Sequence, residues 1–433
     1  MKNTFVISCP IDTYSGYGAR SRDFIKAIIE LDEYDVKIIP QRWGSTPMSF
    51  IQDNLKTWGF LESYILKDRL TYKPDIWVQV TVPNEFNPVG KYNIGLTAGI
   101  ETTACAAPWI EGMNRMDHIL TSSLHSKDVL SKSEFQTQNG KVLKLEKPIT
   151  VITEGANLDV YKPIKKTEFK NIKLYDHINS IPEDFAFLAM GHWMQGSIGQ
   201  DRKNIALTIK SFYEVFKNKT KQPALILKTC LSSPSYMDRR EVMHRMNKIL
   251  KSLGDDVKPP KIYLLIGDFP DQDINELYNH PKIKAMVSLT KGEGFGRPLL
   301  EFSLVNKPII TTGWSGHMDF LKPEFVALVG GKLEKLDPSS VVKDMLIPES
   351  AWFSPDHNQI GGCYQEIYSN IKQWNEKAKR QGFHSRSKFS FDVMKKQIKS
   401  FIKDTIPNLP KKMELNLDGI SNITMPKKQK VNG

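Results

Sequence analysis

The residues of this chain best suited to chemistry are two carboxylates, Glu293 and Glu301, set in the segment TKGEGFGRPLLEFSLVNKP, residues 290–308. Three glycines, Gly292, Gly294 and Gly296, surround the first, and Pro298 stands between the two. An ionised carboxylate only accepts hydrogen bonds, so both suit hydroxyl groups. The apolar run IKAMVSL before them predicts a strand, and Pro298 marks a helix start. Strand, glycine loop and helix together turn backbone N–H groups toward an anion. Hydroxyls and phosphate held side by side imply a nucleotide sugar. Two carboxylates at this spacing also arise by chance on a surface helix; the glycines, the proline and the flanking KPIITT set this pair apart.

A departing pyrophosphate accumulates negative charge that positive groups must meet. Arg202 and Lys203, in GQDRKNIALTIKSF, stand just before a predicted helix, and Lys228 ends the strand-like ALILK. The helix dipole disfavours cations at a helix start, which argues for a function there. Near the N-terminus, SGYG places Gly16 and Gly18 in a loop between the first strand-like and first helix-like stretches. Arg20 and Arg22 follow it and are expected to face either the cleft or solvent.

With its glycines and proline, the Glu293–x7–Glu301 spacing resembles the signature of glycosyltransferase family 4, retaining enzymes of GT-B fold. The resemblance runs over residues 1–405 and implies two Rossmann-like, doubly wound α/β domains facing each other across a cleft. It implies that Glu301 accepts hydrogen bonds from ribose hydroxyls. Glu293 would approach the donor sugar and the reacting face, and Gly294, Phe295 and Gly296 would offer backbone N–H groups to sugar and phosphate. Arg202, Lys203 and Lys228 correspond to the family's phosphate-binding positions, and the loop with Gly16 and Gly18 faces the diphosphate from the other domain. In TAGIETTACAAPWIEGM, Glu101 stands where many relatives have a histidine and is the acceptor-side catalytic candidate beside Glu293. Gly313, Gly316 and His317 lie near the donor by the same resemblance. Arg297 replaces an apolar residue of many relatives and reads as variation within the family. The implied chemistry is front-face substitution with a UDP- or GDP-sugar donor and no cofactor or metal. Asp271 and Asp273 spell D-x-D, a metal-chelating pattern in the other major glycosyltransferase fold. Here they precede INELYNH, where Asp is an expected helix cap.

These residues must be positioned by a chain of 433 residues, long enough for two domains and extensions. Strand-like runs alternate with helical stretches twice over, which predicts parallel sheets covered on both faces. The expected division is an acceptor domain over residues 1–170, a donor domain over 171–385, a helix over 386–406 crossing back to the first domain, and a basic, disordered tail over 407–433. Residues 1–170 carry a net charge of +1, whereas 372–433 carry 15 Lys and Arg against 5 Asp and Glu. The basic segment thus suits a solvated tail or contact with an anionic surface. Asp117 and His118 read as structural. Cys9, Cys105, Cys230 and Cys363 are widely spaced and read as isolated thiols of a reducing cytoplasm. No apolar run approaches the roughly 20 residues that span a bilayer. The expected acceptor is a glycan. The alternative is a hydroxylated base in DNA, since SGYGARSRDF resembles phage-encoded relatives, in which case the cytoplasm is the host's; the near-neutral first domain weighs against a duplex-binding cleft. An epimerase of the same fold, disfavoured by the paired glutamates, and a non-catalytic nucleotide-sugar-binding protein are further alternatives.

Overall fold

Strands buried on both faces read as continuous apolar runs, and the two central sheets are built from such runs. Every residue of Asn3–Cys9 after Asn3 is buried, as is all of Ile76–Val80. The computed structural model describes residues 2–137, 139–194, 198–231, 234–254 and 256–407, so the expected tail lies outside the described residues but for Pro407. The first sheet has the parallel order Tyr34–Pro40, Asn3–Cys9, Ile76–Val80, Tyr92–Leu96, His118–Thr121, Ile149–Val151. The second has the parallel order Ile262–Leu265, Ala224–Lys228, Ala186–Met190, Ile283–Ser288, Ile309–Thr312, Ala327–Val329. The chain is therefore two doubly wound α/β domains. In such sheets ligands bind beyond the carboxyl ends of the strands, where the winding reverses. That point lies between Asn3–Cys9 and Ile76–Val80 in the first domain, and between Ala186–Met190 and Ile283–Ser288 in the second. Gly16 opens the helix Gly16–Leu31 that follows Asn3–Cys9, Arg202 and Lys203 lie in the loop leaving Ala186–Met190, and Glu293 lies in the loop leaving Ile283–Ser288.

The chain crosses between the domains twice, and the two crossings lie side by side. The Ala156 N–H donates to the Phe389 carbonyl at 2.9 Å, and the Phe391 N–H to the Ala156 carbonyl at 2.9 Å. Ala156, Tyr161 and Ile178 already belong to the second core, so the joint expected at residue 170 falls inside the second domain. The returning helix, Phe391–Thr405, is capped by the Ser390 hydroxyl and packs Met394, Ile398, Phe401 and Ile402 into the first core beside Phe5 and Phe24.

One element escaped the sequence pattern. Gly331–Lys335 and Ala351–Pro355 pair as an antiparallel hairpin, and the long connection between them packs Met345 and Ile347 on the first domain. There the Thr103 N–H donates to the Ala351 carbonyl at 2.9 Å, and the Thr103 hydroxyl accepts from the Ala351 N–H at 2.8 Å. GKLEK is almost wholly exposed, so it lacks the apolar alternation that marks a half-buried strand. No helix among the described residues is long and apolar enough to cross a membrane.

Because Ile398 is fully buried in the first core, Ile398→Ala should cost about 2–5 kcal/mol. Exposed Lys399→Ala should cost under about 0.5 kcal/mol, both read from urea denaturation.

Candidate functional site

A cavity of about 520 Å³ lies where the two winding reversals meet. The first domain lines it with Gly16, Tyr17, Trp43 and Glu101, and the second with Lys203, Lys228, Glu293 and Arg297. Its electrostatic centre is Glu293, a residue only 6% exposed. The Lys203 ammonium donates to both carboxylate oxygens, at 2.6 and 2.8 Å, and Arg202 Nη1 stands 3.4 Å from one of them. Arg202 also donates to the Gly292 carbonyl at 2.8 Å and reaches Glu101 of the first domain at 3.6 Å. Glu101, Arg202, Glu293 and Lys203 thus form one chain of charges across the cleft. Burial alone would raise the Glu293 carboxyl, but Lys203 and Arg202 overrule it and hold it down to about 2.

The turn bearing the two cations is built locally. Asn204 adopts a left-handed conformation (φ 55°) just before the helix Ile205–Phe216. The Asp201 carboxylate accepts from the backbone N–H of Lys203 at 3.3 Å and Ile205 at 3.0 Å. An acidic side chain therefore caps the helix, which offsets the dipole's penalty on the cations beside it. The Lys291 N–H donates to the Arg202 carbonyl at 2.8 Å and so binds the turn to the glycine loop.

That loop is shaped by contact as much as by ligand geometry. A Cβ on Gly294 would run into the Ala98 carbonyl of the first domain, and Gly296 sits at φ 96° just before the helix Arg297–Ser303. Glycine is what allows the domains to touch at the first position and the chain to turn at the second. The Phe295 side chain is buried, its ring 5.1 Å from that of Phe320. The Glu293 N–H donates to the Ser315 hydroxyl at 2.9 Å, and the Gly316 N–H to the Glu293 carbonyl at 2.9 Å. His317 is fully buried, its Nε2 2.7 Å from the Thr312 carbonyl. The segment Gly313–His317 thus braces the backbone of Glu293 from behind.

Lys228 lines the cavity with its ammonium 5.1 Å from the centre of the Phe269 ring, and burial lowers its pKa. Gly16 faces the cavity, whereas the Gly18 N–H already donates to the Ser15 hydroxyl at 2.9 Å and its Cα packs on Thr13. Glu301 does not line the cavity. Arg297 stands in front of it, donating from Nε to Glu301 at 2.9 Å, and burial pushes the Glu301 carboxyl up to about 8 despite that partner. Arg20 and Arg22 face neither cleft nor solvent. Arg20 donates to the Thr153 and Ile152 carbonyls, at 3.1 and 2.6 Å, and Arg22 to the Ile11 and Thr13 carbonyls at 2.9 and 3.0 Å. Both are consumed satisfying backbone acceptors that burial would otherwise orphan. Asp271 and Asp273 lie in the first turn of the helix Asp271–Asn279, after Pro270 and without a side-chain cap, and Asp273 accepts from the Asn171 side chain at 2.7 Å.

Sequence reasoning missed Tyr17, Trp43, Trp109, Glu154 and Met345, all of which line the cavity. Tyr17 adjoins Gly16 in a recognised loop, a signal that was available. Trp43 stacks on Tyr17 with ring centres 4.0 Å apart, a pairing no local pattern announces.

The Glu293 pairing carries a pH signature. A depressed carboxyl stabilises the fold above its ordinary 4.5 and loses that contribution as pH falls toward 2. Lys203→Met should therefore destabilise the protein near pH 7 by on the order of 1–3 kcal/mol. The gap between variant and wild type should narrow steadily below pH 4.5 in urea titrations.

Several solved structures share this architecture. A glycosyltransferase of Rickettsia africae ESF-5 aligns over 94% of this chain and 100% of its own, at 15% identity and TM-score 0.58. HepE of Anabaena, in complex with UDP and glucose, aligns over 93% of this chain and 100% of its own, at 13% identity and TM-score 0.62. Sucrose-phosphate synthase of Thermosynechococcus elongatus aligns over 93% and 99%, at 12% identity and TM-score 0.59. No protein-family model and no curated protein matches the chain. With both sheets and both winding reversals in place, the chain has the GT-B fold of these glycosyltransferases.

Proposed function

We propose that this chain is a retaining glycosyltransferase that moves a sugar from a nucleoside diphosphate to an acceptor hydroxyl. The observation that carries this is the meeting of Lys203, Arg202 and Lys228 with Glu293 on one cavity wall, at the winding reversal of the second sheet. Cations facing a ligand that gains negative charge stabilise its departure. The diphosphate would compete with Glu293 for Lys203, and Glu293 would then accept hydrogen bonds from the sugar. Glu301 would take the ribose hydroxyls, and the backbone of Gly294, Phe295 and Gly296 would face sugar and phosphate. The acceptor would enter from the side of Glu101, Tyr17 and Trp43. Structures such as that of HepE with UDP and glucose support a nucleotide sugar as donor.

A carboxylate held by two cations is a poor nucleophile, which favours substitution from the front face. The bond from the anomeric carbon to the phosphate oxygen breaks while the acceptor oxygen bonds on the same side. The acceptor's proton passes to the departing phosphate, and no residue is modified. Among the described residues, the first domain contributes no Lys or Arg to the cavity wall. That wall, with its aromatic faces and Glu101, suits a neutral glycan better than a phosphate backbone.

A thermal-shift panel of UDP- and GDP-sugars should single out one donor. Release of nucleoside diphosphate with a hydroxylated acceptor then separates an enzyme from a binding protein. Glu301→Ala should weaken donor binding by at least about tenfold, through loss of the hydrogen bonds to the ribose hydroxyls. Wild-type affinity in that variant would sink the assignment. Transfer should persist in EDTA; activity lost to the chelator and restored by manganese would overturn the metal-free mechanism.

A further inference from the structure

Arg297 opens the helix Arg297–Ser303, where the dipole disfavours a cation. Three carboxylates hold it there. Its Nε lies 2.9 Å from Glu301 of its own domain, while its Nη1 lies 2.6 Å from Asp23 and 3.4 Å from Glu154 of the other. Arg20 and Arg22, both near enough to feel its charge, are committed to the carbonyls of Ile152 and Thr153 and of Ile11 and Thr13. Glu154 itself is two residues from Ala156, the point at which the two crossings of the chain are hydrogen-bonded together. The guanidinium is a rigid fork with donors at fixed angles, so one side chain can grip both domains at once. Opening the cleft about the paired crossings would pull Asp23 away from Arg297. It would leave Glu301 facing an arginine with only part of its partners.

We propose that Arg297 is a positioning residue that ties donor binding to the closed pose of the two domains. It orients the Glu301 carboxylate from one side while Asp23 and Glu154 hold it from across the hinge. The Glu301 oxygen left over is 3.5 Å from the Tyr278 hydroxyl, a weak partner that a ribose hydroxyl can displace. Donor contact with Glu301 thereby favours the arrangement in which Arg297 bridges the domains, and closure presents Glu301 correctly. The inference rests on the proposed role of Glu301.

The test uses the full chain with Arg297→Met, Arg297→Lys and Asp23→Asn. Two quantities are read: hydrogen exchange without nucleotide at the Thr103 and Leu124 amides, which donate across the cleft to the Ala351 carbonyl and the Asp319 carboxylate, and donor affinity by calorimetry. Arg297→Met should speed exchange at both amides and weaken donor binding by about tenfold or more. Arg297→Lys, which keeps the charge but not the fork, should fall between. Asp23 does not line the cavity. Asp23→Asn should nevertheless weaken donor binding, which a purely local role of Arg297 beside Glu301 would not produce. Unchanged exchange in all three variants overturns the tie between domains. Faster exchange with wild-type donor affinity in Asp23→Asn overturns the coupling. Should Arg297→Met fail to fold, the other two variants decide. If the wild type binds no nucleotide sugar, that failure belongs to the proposed function, and the exchange comparison alone decides whether Arg297 holds the hinge.

Discussion

The two crossings of the chain, joined through Ala156, Phe389 and Phe391, are the constraint on which the rest of this structure depends. Each domain has its own buried core, and each core would form a sheet with a ligand-ready edge. Neither edge alone makes the cavity. It exists because the paired crossings and the helix Phe391–Thr405 fix the two strand ends face to face. That helix places four apolar side chains in the core of the opposite domain, so separating the domains would cost hydrophobic burial as well as hydrogen bonds.

Once the edges face each other, charge becomes the organising problem. Glu293, Glu301, Glu154 and Asp23 are all nearly buried around one cleft. Uncompensated, they would repel each other and bind protons. Lys203 and Arg202 answer for Glu293, and Arg297 for the other three. The contrast between the two glutamates follows: Glu293 is driven strongly acidic by two cations, whereas Glu301 shares one cation and is pushed up by burial.

The sheets and the glycine segment were legible because they are local. Parallel strands such as IWVQV announce themselves by apolar runs, and EGFGRPLLE keeps its spacing whatever surrounds it. The cations before Ile205 were legible because they break a local rule, and the structure supplies the compensating Asp201. Arg20 and Arg22 misled for the complementary reason. A charged side chain near a glycine loop suggests a ligand, and only the folded chain reveals the carbonyls of residues 11, 13, 152 and 153 that consume it.

What the sequence determined by itself is the fold type and the glycine-rich form of one loop, since both are encoded in periodicity and in residues a few positions apart. What only the tertiary structure decided is partnership at long range. Arg297 meets Asp23 across 274 positions and Lys203 meets Glu293 across 90, because the crossings bring separate strand ends together. No pattern along the chain records such distances. They are set by the packing of one domain against the other, and with them the Arg297 that looked like mere variation becomes the bridge between both halves.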